Sequence, residues 1–138
     1  MKQLRTLCAT ALLCTLPLIV GPARADDPPK GWGDPDILWQ LAEINGEAYA
    51  GQARMRISTE DGISGKAPCN SFTMPLVASY PDFEAGVAAT TRMACPDLGL
   101  EILFFATLDE MMRVEVTEDA LTLSDDSGQS MVFHPAAD

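Results

Sequence analysis

Two short segments, residues 65–72 and 90–96, carry the cysteines that most constrain what this chain can fold into. Cys69 lies in the first segment and Cys95 in the second, while the other two cysteines lie in an N-terminal stretch that we expect to be removed. In an oxidising compartment two remaining cysteines usually pair. A Cys69–Cys95 disulfide would close a loop of about 27 residues and contribute roughly 3.5 kcal/mol to stability. A reactive thiol and a metal-binding pair are the alternatives.

The N-terminus has the layout of a secretory signal peptide. Lys2 and Arg5 precede an apolar run over residues 7–20, and a small-residue triplet ends at Ala25. This order of residues predicts cleavage after Ala25, so residues 1–25 are assigned as the signal peptide. The apolar run, about 14 residues long, is short for a membrane span. We therefore expect a periplasmic or secreted protein without a stable membrane anchor.

Removal of the signal peptide leaves a strongly acidic chain. Three of the nine basic residues lie within residues 1–25 and none of the twenty acidic ones does, which leaves six basic and twenty acidic side chains and a formal charge of −14. Such a charge repels nucleic acid and anionic membranes and favours solubility. We expect no nucleic-acid partner and a monomer, and the acidity leaves cation binding open as an alternative role.

The mature chain is long enough for one domain with one modest core. Residues 26–36 are rich in Pro, Gly and Asp and lack hydrophobic periodicity, which predicts a flexible leader. Docking of Trp32 on the domain is left open. The folded domain is expected over residues 37–135, followed by a short tail over 136–138.

The sequence predicts strands before and after a single helix along the chain. Asn45-Gly46 is a strong turn signal between alternating segments. Strands, one helix and strands again predict a single compact α+β domain with a mostly antiparallel sheet packed on the helix. The expected strands are residues 37–44, 54–58 and 63–65, weaker ones near 76–80 and 86–89, and then 113–117, 120–124 and 129–134.

The helix is predicted to start at Pro96, which fits the first helical position. One face is expected to be wet, with Glu101, Asp109 and Glu110 on it. The other face carries the apolar stripe that we expect to pack on the core: Leu98, Ile102, Phe105, Leu108 and Met112, broadened by Phe104 and Met111.

The sequence offers no complete catalytic set and no metal site. Nucleophilic catalysis by Cys69 would need a histidine base, and the only histidine, His134, is expected to end an edge strand. The acidic segment 125–128 lacks the calcium-loop pattern and is interpreted as a hairpin turn. We therefore predict a protein that is not an enzyme, with no catalytic residues, no cofactor and no bound metal.

Two further features bear on binding. Six methionines follow the signal peptide, and their scatter over predicted core faces favours packing over copper binding through thioethers. Arg92, close to Cys95, is a candidate for binding an anionic partner. Hydrogen bonds from Arg92 to loop carbonyls and to an acidic side chain are the favoured alternative.

Several motifs resemble a known family by their order and spacing. They are Trp39-Gln40-Leu41 with Ile44-Asn45-Gly46, Ile63-Ser64-Gly65 before Cys69-Asn70-Ser71-Phe72, Thr91-Arg92-Met93-Ala94-Cys95 with Glu101 in the helix, and a closing hairpin over 121–123 and 131–133. Together they resemble the META domain, also called the HslJ-like domain, from about Leu38 to Phe133. Within these motifs Asn70, Phe72 and Arg92 are the candidate binding or structural residues.

The resemblance implies a compact α+β fold with a curved antiparallel sheet in a bacterial envelope protein linked to stress responses and drug tolerance. It implies no enzyme activity. The chain departs from the family at Thr73-Met74-Pro75, where members often carry a glycine, and it lacks the lipoprotein signal that many members have. We expect an exported module that binds or stabilises a protein or small-molecule partner. A small-molecule or metal-ion binder is the first alternative, and a protease-inhibitor-like module with residues 67–69 as its rigid loop is the second.

Overall fold

The structure, a computed structural model, describes residues 31–137. The predicted signal peptide and residues 26–30 of the predicted leader lie outside this range. Among the described residues, no helix is long and apolar enough to cross a membrane. The elements there are β1 (Trp39–Ile44), β2 (Glu47–Ala48), β3 (Arg54–Ser58), β4 (Gly62–Lys66), β5 (Ser71–Met74), β6 (Ala89–Thr90), α1 (Leu98–Glu110), β7 (Arg113–Val116), β8 (Leu121–Ser124) and β9 (Ser130–Pro135).

All nine of these strands belong to one antiparallel sheet. The strand order is β6-β5-β4-β3-β1-β9-β8-β7, and β2 pairs with the end of β1. The final strand therefore returns to the middle of the sheet, where it pairs with β1 on one side and β8 on the other. His134 lies in this central strand opposite Gln40, so the expectation of an edge strand was wrong. The single domain with a mostly antiparallel sheet and one helix is confirmed, although the helix is a minor part of it.

The turn prediction at the end of β1 is confirmed. Asn45 and Gly46 have φ angles of +54° and +78° and form the two-residue connection between β1 and β2. Positive φ at both positions is the requirement of a tight hairpin turn, and Asn-Gly meets it at low steric cost. Just before this turn the register of β1 on β9 shifts between Leu41 and Glu43. The shift turns Glu43 outward and Ile44 inward, whereas strict alternation from Trp39 and Leu41 would place Glu43 on the inner face.

One hydrophobic core lies between the sheet and α1. Alternate strand residues point into it, as alternation in sequence predicts. Phe104 of α1 is fully buried, and its ring centroid lies 5.6 Å from that of Phe72 on β5. The largest fully buried side chains are Trp39, Phe104, Phe133, Met55, Ile57, Ile63, Leu108, Leu121, Leu123, Met131 and Val116.

The helix is rotated relative to the predicted orientation, so only part of the predicted apolar stripe faces the core. Glu101 was expected to face solvent, but it is buried. Because α1 is apolar on nearly every side, the apolar pattern alone does not fix its rotation. The residues that face the core are Phe104, Leu108 and Met111, whereas Leu98, Ile102 and Met112 of the predicted core stripe are exposed.

The segment between β4 and α1 also differs from its prediction. A weak strand was predicted near residues 76–80, but these residues form no strand. The strand that follows β4 is instead β5, Ser71–Met74, which pairs with β4 and β6. Residues 81–83 instead follow the outer edge of β7, where the N–H of Val114 donates to the carbonyl of Pro81 at 2.9 Å. This coverage protects an otherwise unpaired strand edge.

Trp32 packs on the domain. Its side chain is only 8% exposed, and its ring lies 6.0 Å from Tyr80 and 6.2 Å from Phe83 between centroids. The described end of the predicted leader is therefore held against the core. The packed region reaches at least to Trp32, before the predicted start at Ile37.

Candidate functional site

Three chain segments meet at the Cys69–Cys95 disulfide. Residues 67–70 follow β4, residues 91–95 follow β6, and α1 begins at Leu98, three residues after Cys95. The disulfide joins the first two segments with a Cα–Cα distance of 5.8 Å. The predicted pairing is thus present, and it places both candidate motifs beside the start of the helix.

The Glu101 carboxylate lies at the centre of this junction. One oxygen, Oε2, accepts hydrogen bonds from the backbone N–H groups of Cys69 at 2.9 Å and Asn70 at 2.7 Å. The other, Oε1, accepts from the Asn70 amide Nδ2 at 2.7 Å. A buried carboxylate is costly unless such donors replace its water. Each hydrogen bond to a charged acceptor contributes about 1.5–3 kcal/mol. The three donors therefore fix which face of α1 turns inward.

The Asn70 side chain connects Glu101 to the segment before Cys95. Its Oδ1 accepts hydrogen bonds from the backbone N–H of Met93 at 2.6 Å and from the Thr91 hydroxyl at 3.0 Å. Every buried side-chain polar atom in the described part of the chain has a hydrogen-bond partner. Asn70 therefore joins both ends of the disulfide loop to the helix.

The other two candidate residues from the sequence, Phe72 and Arg92, lie in different environments. Phe72 is buried, and its ring centroid lies 5.2 Å from that of Phe105. Arg92 is exposed and takes part in none of the hydrogen bonds or ion pairs among residues 31–137. The hydrogen bonds favoured for Arg92 from sequence are therefore not formed there. The structure brings together Cys69, Cys95 and Asn70, sets Phe72 beside them in the core and leaves Arg92 at the surface.

Tyr49 makes a further contact with the first turn of α1. Its hydroxyl donates a hydrogen bond to the carbonyl of Leu100 at 2.7 Å. Partial burial, with the nearby negative charges of Glu101 and Asp97, raises the pKa of Tyr49 to about 12. Neither Tyr49 nor the inward position of Glu101 was recognised from sequence. The only indication in the sequence that Glu101 has a structural role was its inclusion in the family motif.

The side-chain oxygens of Glu101 and Asn70 at the junction already accept hydrogen bonds from within the domain, and neither junction cysteine is a free thiol. Both cysteines are in the disulfide, and His134 lies elsewhere, with Nδ1 2.9 Å from the carbonyl oxygen of Asp119. Within residues 31–137, no group of three His, Cys, Asp or Glu side chains is placed to hold a metal ion. Of the six methionines, Met55, Met74, Met111 and Met131 are buried, and Met93 and Met112 are exposed.

The acidic segment after β8 forms the predicted hairpin turn. The Asp125 carboxylate accepts hydrogen bonds from the backbone N–H groups of Ser127 at 2.9 Å and Gln129 at 2.7 Å. The hydrogen bond from the Ser127 hydroxyl, with those from Gln129, lowers the pKa of Asp125. Asp126 forms an exposed ion pair with Arg113 at 3.1 Å. The Asp125 carboxylate therefore stabilises the turn, and the Asp126 carboxylate is paired with Arg113 of β7.

An apolar groove lies beside the junction. It has a volume of about 510 Å³ and separates the outer side of α1 from residues 85–88. Ile102 and Phe105 line it from α1 and Val87 lines it from the facing segment, and the buried Glu101 is also among its lining residues. Val87 is 92% exposed and Ile102 62% exposed. Part of the stripe predicted to be core thus forms an open apolar surface.

A second groove, of about 380 Å³, shares the lining residue Asp109 with the first. Asp82 and Glu84 lie on its other side, and the exposed Met112 contributes to its lining. Because they share Asp109, the two grooves adjoin beside α1, and we refer to them together as the furrow along α1. The second groove contributes three carboxylates, those of Asp82, Glu84 and Asp109. This furrow, defined by residues 82–88 and the outer side of α1, was not predicted from sequence.

The loop considered for protease inhibition does not protrude. Ala67 is 1% exposed and Cys69 is 3% exposed. The N–H of Ala67 also donates to the carbonyl of Asn70 at 2.8 Å, which closes the loop on itself. The backbone around Cys69 is therefore occupied by hydrogen bonds within the domain.

Comparisons with known proteins agree on the fold. A family model for the META domain matches residues 36–138. An NMR structure of a protein from Burkholderia xenovorans is similar, with a TM-score of 0.61 and 22% sequence identity over 75% of this chain and 83% of that one. A second NMR structure has a TM-score of 0.55 and 25% identity over 73% of this chain and 90% of the other. No curated protein sequence matches.

The raised pKa of Tyr49 predicts a specific alkaline titration. Because the folded state favours the neutral phenol, this contribution to stability is complete below the ordinary tyrosine pKa of 10.0 and is lost as the pH rises through about 12. Absorbance titration of the wild type should show a tyrosine that ionises near pH 12, and Tyr49→Phe should remove it. The variant should also lose about 1 kcal/mol of unfolding free energy at neutral pH. Persistence of the pH 12 component in Tyr49→Phe would contradict this assignment.

Proposed function

The chain belongs to the META domain family, and from that membership we propose that it is a non-catalytic, exported module of the bacterial envelope. Its proposed role is in envelope or heat-stress response and drug tolerance, through binding and stabilising a partner polypeptide. The order of the family motifs and the signal-peptide layout support the compartment and the class of protein. The furrow along α1 supports the mode of action.

The observation that carries the proposal is the open apolar surface of α1. One face of the helix covers the core, so its second apolar face is not needed for folding. Exposed contiguous apolar surface on a small monomeric domain usually marks a site of interaction. The exposed Ile102 and Met112 line the furrow, with the exposed Val87 across the groove. Leu98 and Leu103 are further exposed apolar side chains of α1 outside the furrow lining.

Charge complementarity favours an occupant with both apolar and basic side chains. Asp82, Glu84 and Asp109 lie together at one end of the furrow. The basic residue lining this end, Arg113, is already paired with Asp126. A polypeptide segment with apolar side chains and nearby lysine or arginine would therefore bury the apolar wall and face the carboxylates. The net acidity of the chain would add a long-range attraction for such a partner.

Both walls of the furrow are held in place before any partner binds. Glu101 fixes α1 through its three hydrogen bonds. The opposite wall is tied back by hydrogen bonds from the N–H of Gly86 to the carbonyl of Pro75 and from the N–H of Val77 to the carbonyl of Glu84, each at 2.8 Å. A preformed groove lowers the entropy lost on binding. The disulfide junction would then be the support of the binding surface.

Binding of a designed peptide tests this mode of action. The probe is a labelled amphipathic peptide of leucine and lysine, and its partner probe has every lysine replaced by glutamate. Fluorescence anisotropy should show saturable binding of the lysine peptide and much weaker binding of the glutamate peptide. Ile102→Ser should weaken binding by roughly tenfold, since an apolar side chain of this size contributes about 1.5–3 kcal/mol when buried.

Val77→Ser is the matched control, because the Val77 side chain is 58% exposed and does not line the furrow, and the backbone N–H that bonds to Glu84 is retained in the variant. This variant should bind as the wild type does. Equal binding of both peptides, or equal affinity of Ile102→Ser and Val77→Ser, would reject the furrow as the site. Failure of the lysine peptide to bind at all would reject the proposed occupant.

Export is tested by the intact mass of the protein recovered from its own host. The proposal predicts a chain that starts at Asp26, carries no lipid and takes up thiol label at two cysteines only after reduction. A chain that retains residues 1–25, or one that carries a lipid, would contradict the proposed export route.

A further inference from the structure

The outer face of the β3–β4 hairpin carries a cluster of positive charge in an otherwise acidic protein. On β3, Arg54 and Arg56 alternate with the buried Met55 and Ile57, so both arginines point away from the core. Lys66 of β4 lies directly opposite Arg54 in the antiparallel register. Three cations therefore share one side of two neighbouring strands.

These cations are not neutralised by ion pairs. The described residues include five basic side chains, and the ion pair among them joins Arg113 to Asp126 at the surface. Arg56 donates from Nε to the backbone carbonyl of Asp36 at 3.4 Å, a contact that leaves its two terminal NH₂ groups available. The positive charge of Arg54, Arg56 and Lys66 is thus free of carboxylate partners among residues 31–137.

The strand geometry holds the cations at a spacing that suits one small anion. Side chains directly opposite on antiparallel strands have Cβ atoms about 5 Å apart, and residues two apart on one strand lie about 7 Å apart. Arg54 and Lys66 are the opposite pair, and Arg56 is two residues along. Like charges placed directly opposite destabilise a sheet. A bound anion would offset that repulsion.

The three side chains line a groove of about 560 Å³ on this face. Its other lining residues are neutral and include Ser64 and Gln52, whose hydroxyl and amide groups can donate hydrogen bonds. Ser64 lies opposite Arg56 in the strand register, next to the charged pair. In the part of the chain that the structure describes, the groove lining includes no carboxylate.

We propose that this groove, here named the β3–β4 cationic groove, binds the phosphate group of a small ligand. Arginine guanidinium groups match phosphate oxygens through paired hydrogen bonds, and a phosphate carries close to two negative charges at neutral pH. The net negative charge of the mature chain opposes the approach of any anion, so binding depends on close contacts with the three cations, to which a carboxylate brings only one negative charge. A compact dianion that contacts three cations at once gains enough to bind. The site is separate from the furrow along α1 and does not depend on the proposed function.

Pyrophosphate is the probe for this site, with sodium chloride at the same ionic strength as its control. Isothermal titration should show saturable binding of pyrophosphate to the mature protein, and pyrophosphate should raise Tm more than the chloride control does, since a ligand of the native state stabilises it. Lys66→Gln and Arg54→Gln should each weaken binding by roughly tenfold or more. Neither variant should lower Tm without ligand, because each removes a like-charge contact.

Arg92→Gln is the matched control, since it makes the same change in net charge at an exposed site outside the groove. It should bind pyrophosphate as the wild type does. Absence of saturable binding would overturn the proposal, as would equal weakening by Arg92→Gln and Lys66→Gln. Stabilisation that chloride reproduces at equal ionic strength would also overturn it, because that result would indicate general screening.

The source of the phosphate group is decided by a second arm of the same experiment. Vesicles containing phosphatidylglycerol present the phosphate on a lipid headgroup, and vesicles of phosphatidylcholine alone are the neutral comparison. We expect binding of soluble pyrophosphate without vesicle binding, since the remaining acidic surface would be repelled by an anionic membrane. Vesicle binding that is lost in Lys66→Gln would assign the same groove to a lipid headgroup.

Discussion

The rest of the structure depends on the burial of one carboxylate. Glu101 lies in a helix with apolar residues on nearly every side, and its three N–H donors come from Cys69 and Asn70, more than thirty residues away in sequence. The rotation of α1 follows from these bonds, and so does the choice of which apolar face becomes core and which remains open. The disulfide supports the same junction by a different route, because it restricts the unfolded chain while the hydrogen bonds stabilise the folded one.

Local patterns predicted the elements whose causes are local. The closing strands and the Asn45-Gly46 turn follow from alternation and turn chemistry, and the structure confirms them. The face of α1 could not be read in this way, because the donors to Glu101 belong to a distant loop. The packing of Trp32 against Tyr80 and Phe83 is likewise non-local, so composition alone suggested a flexible leader. Asn70 was found through the family motif, whereas the furrow became visible only once the helix rotation was known.

The two surfaces proposed for binding follow from the same arrangement. The furrow exists because α1 has a second apolar face left over once Glu101 and Phe104 turn inward. The β3–β4 cationic groove lies on the outer face of the sheet. There Arg54 and Arg56, which alternate with the buried Met55 and Ile57 along β3, meet solvent. One surface is apolar with carboxylates at its end, and the other is cationic with neutral walls. A domain built in this way can hold a basic polypeptide and a phosphate-bearing ligand at separate places.

A double-mutant cycle between Glu101 and Asn70 tests the central claim most directly. Glu101→Gln, Asn70→Ala and the double variant would each be unfolded in urea, with Asp109→Asn as the control for loss of a carboxylate on an exposed part of α1. The account predicts that Glu101→Gln costs about 2 kcal/mol or more, that Asp109→Asn stays within about 0.5 kcal/mol, and that Glu101 and Asn70 are coupled by at least about 1 kcal/mol. Additive effects of the two changes, or a cost of Glu101→Gln no larger than that of Asp109→Asn, would contradict it.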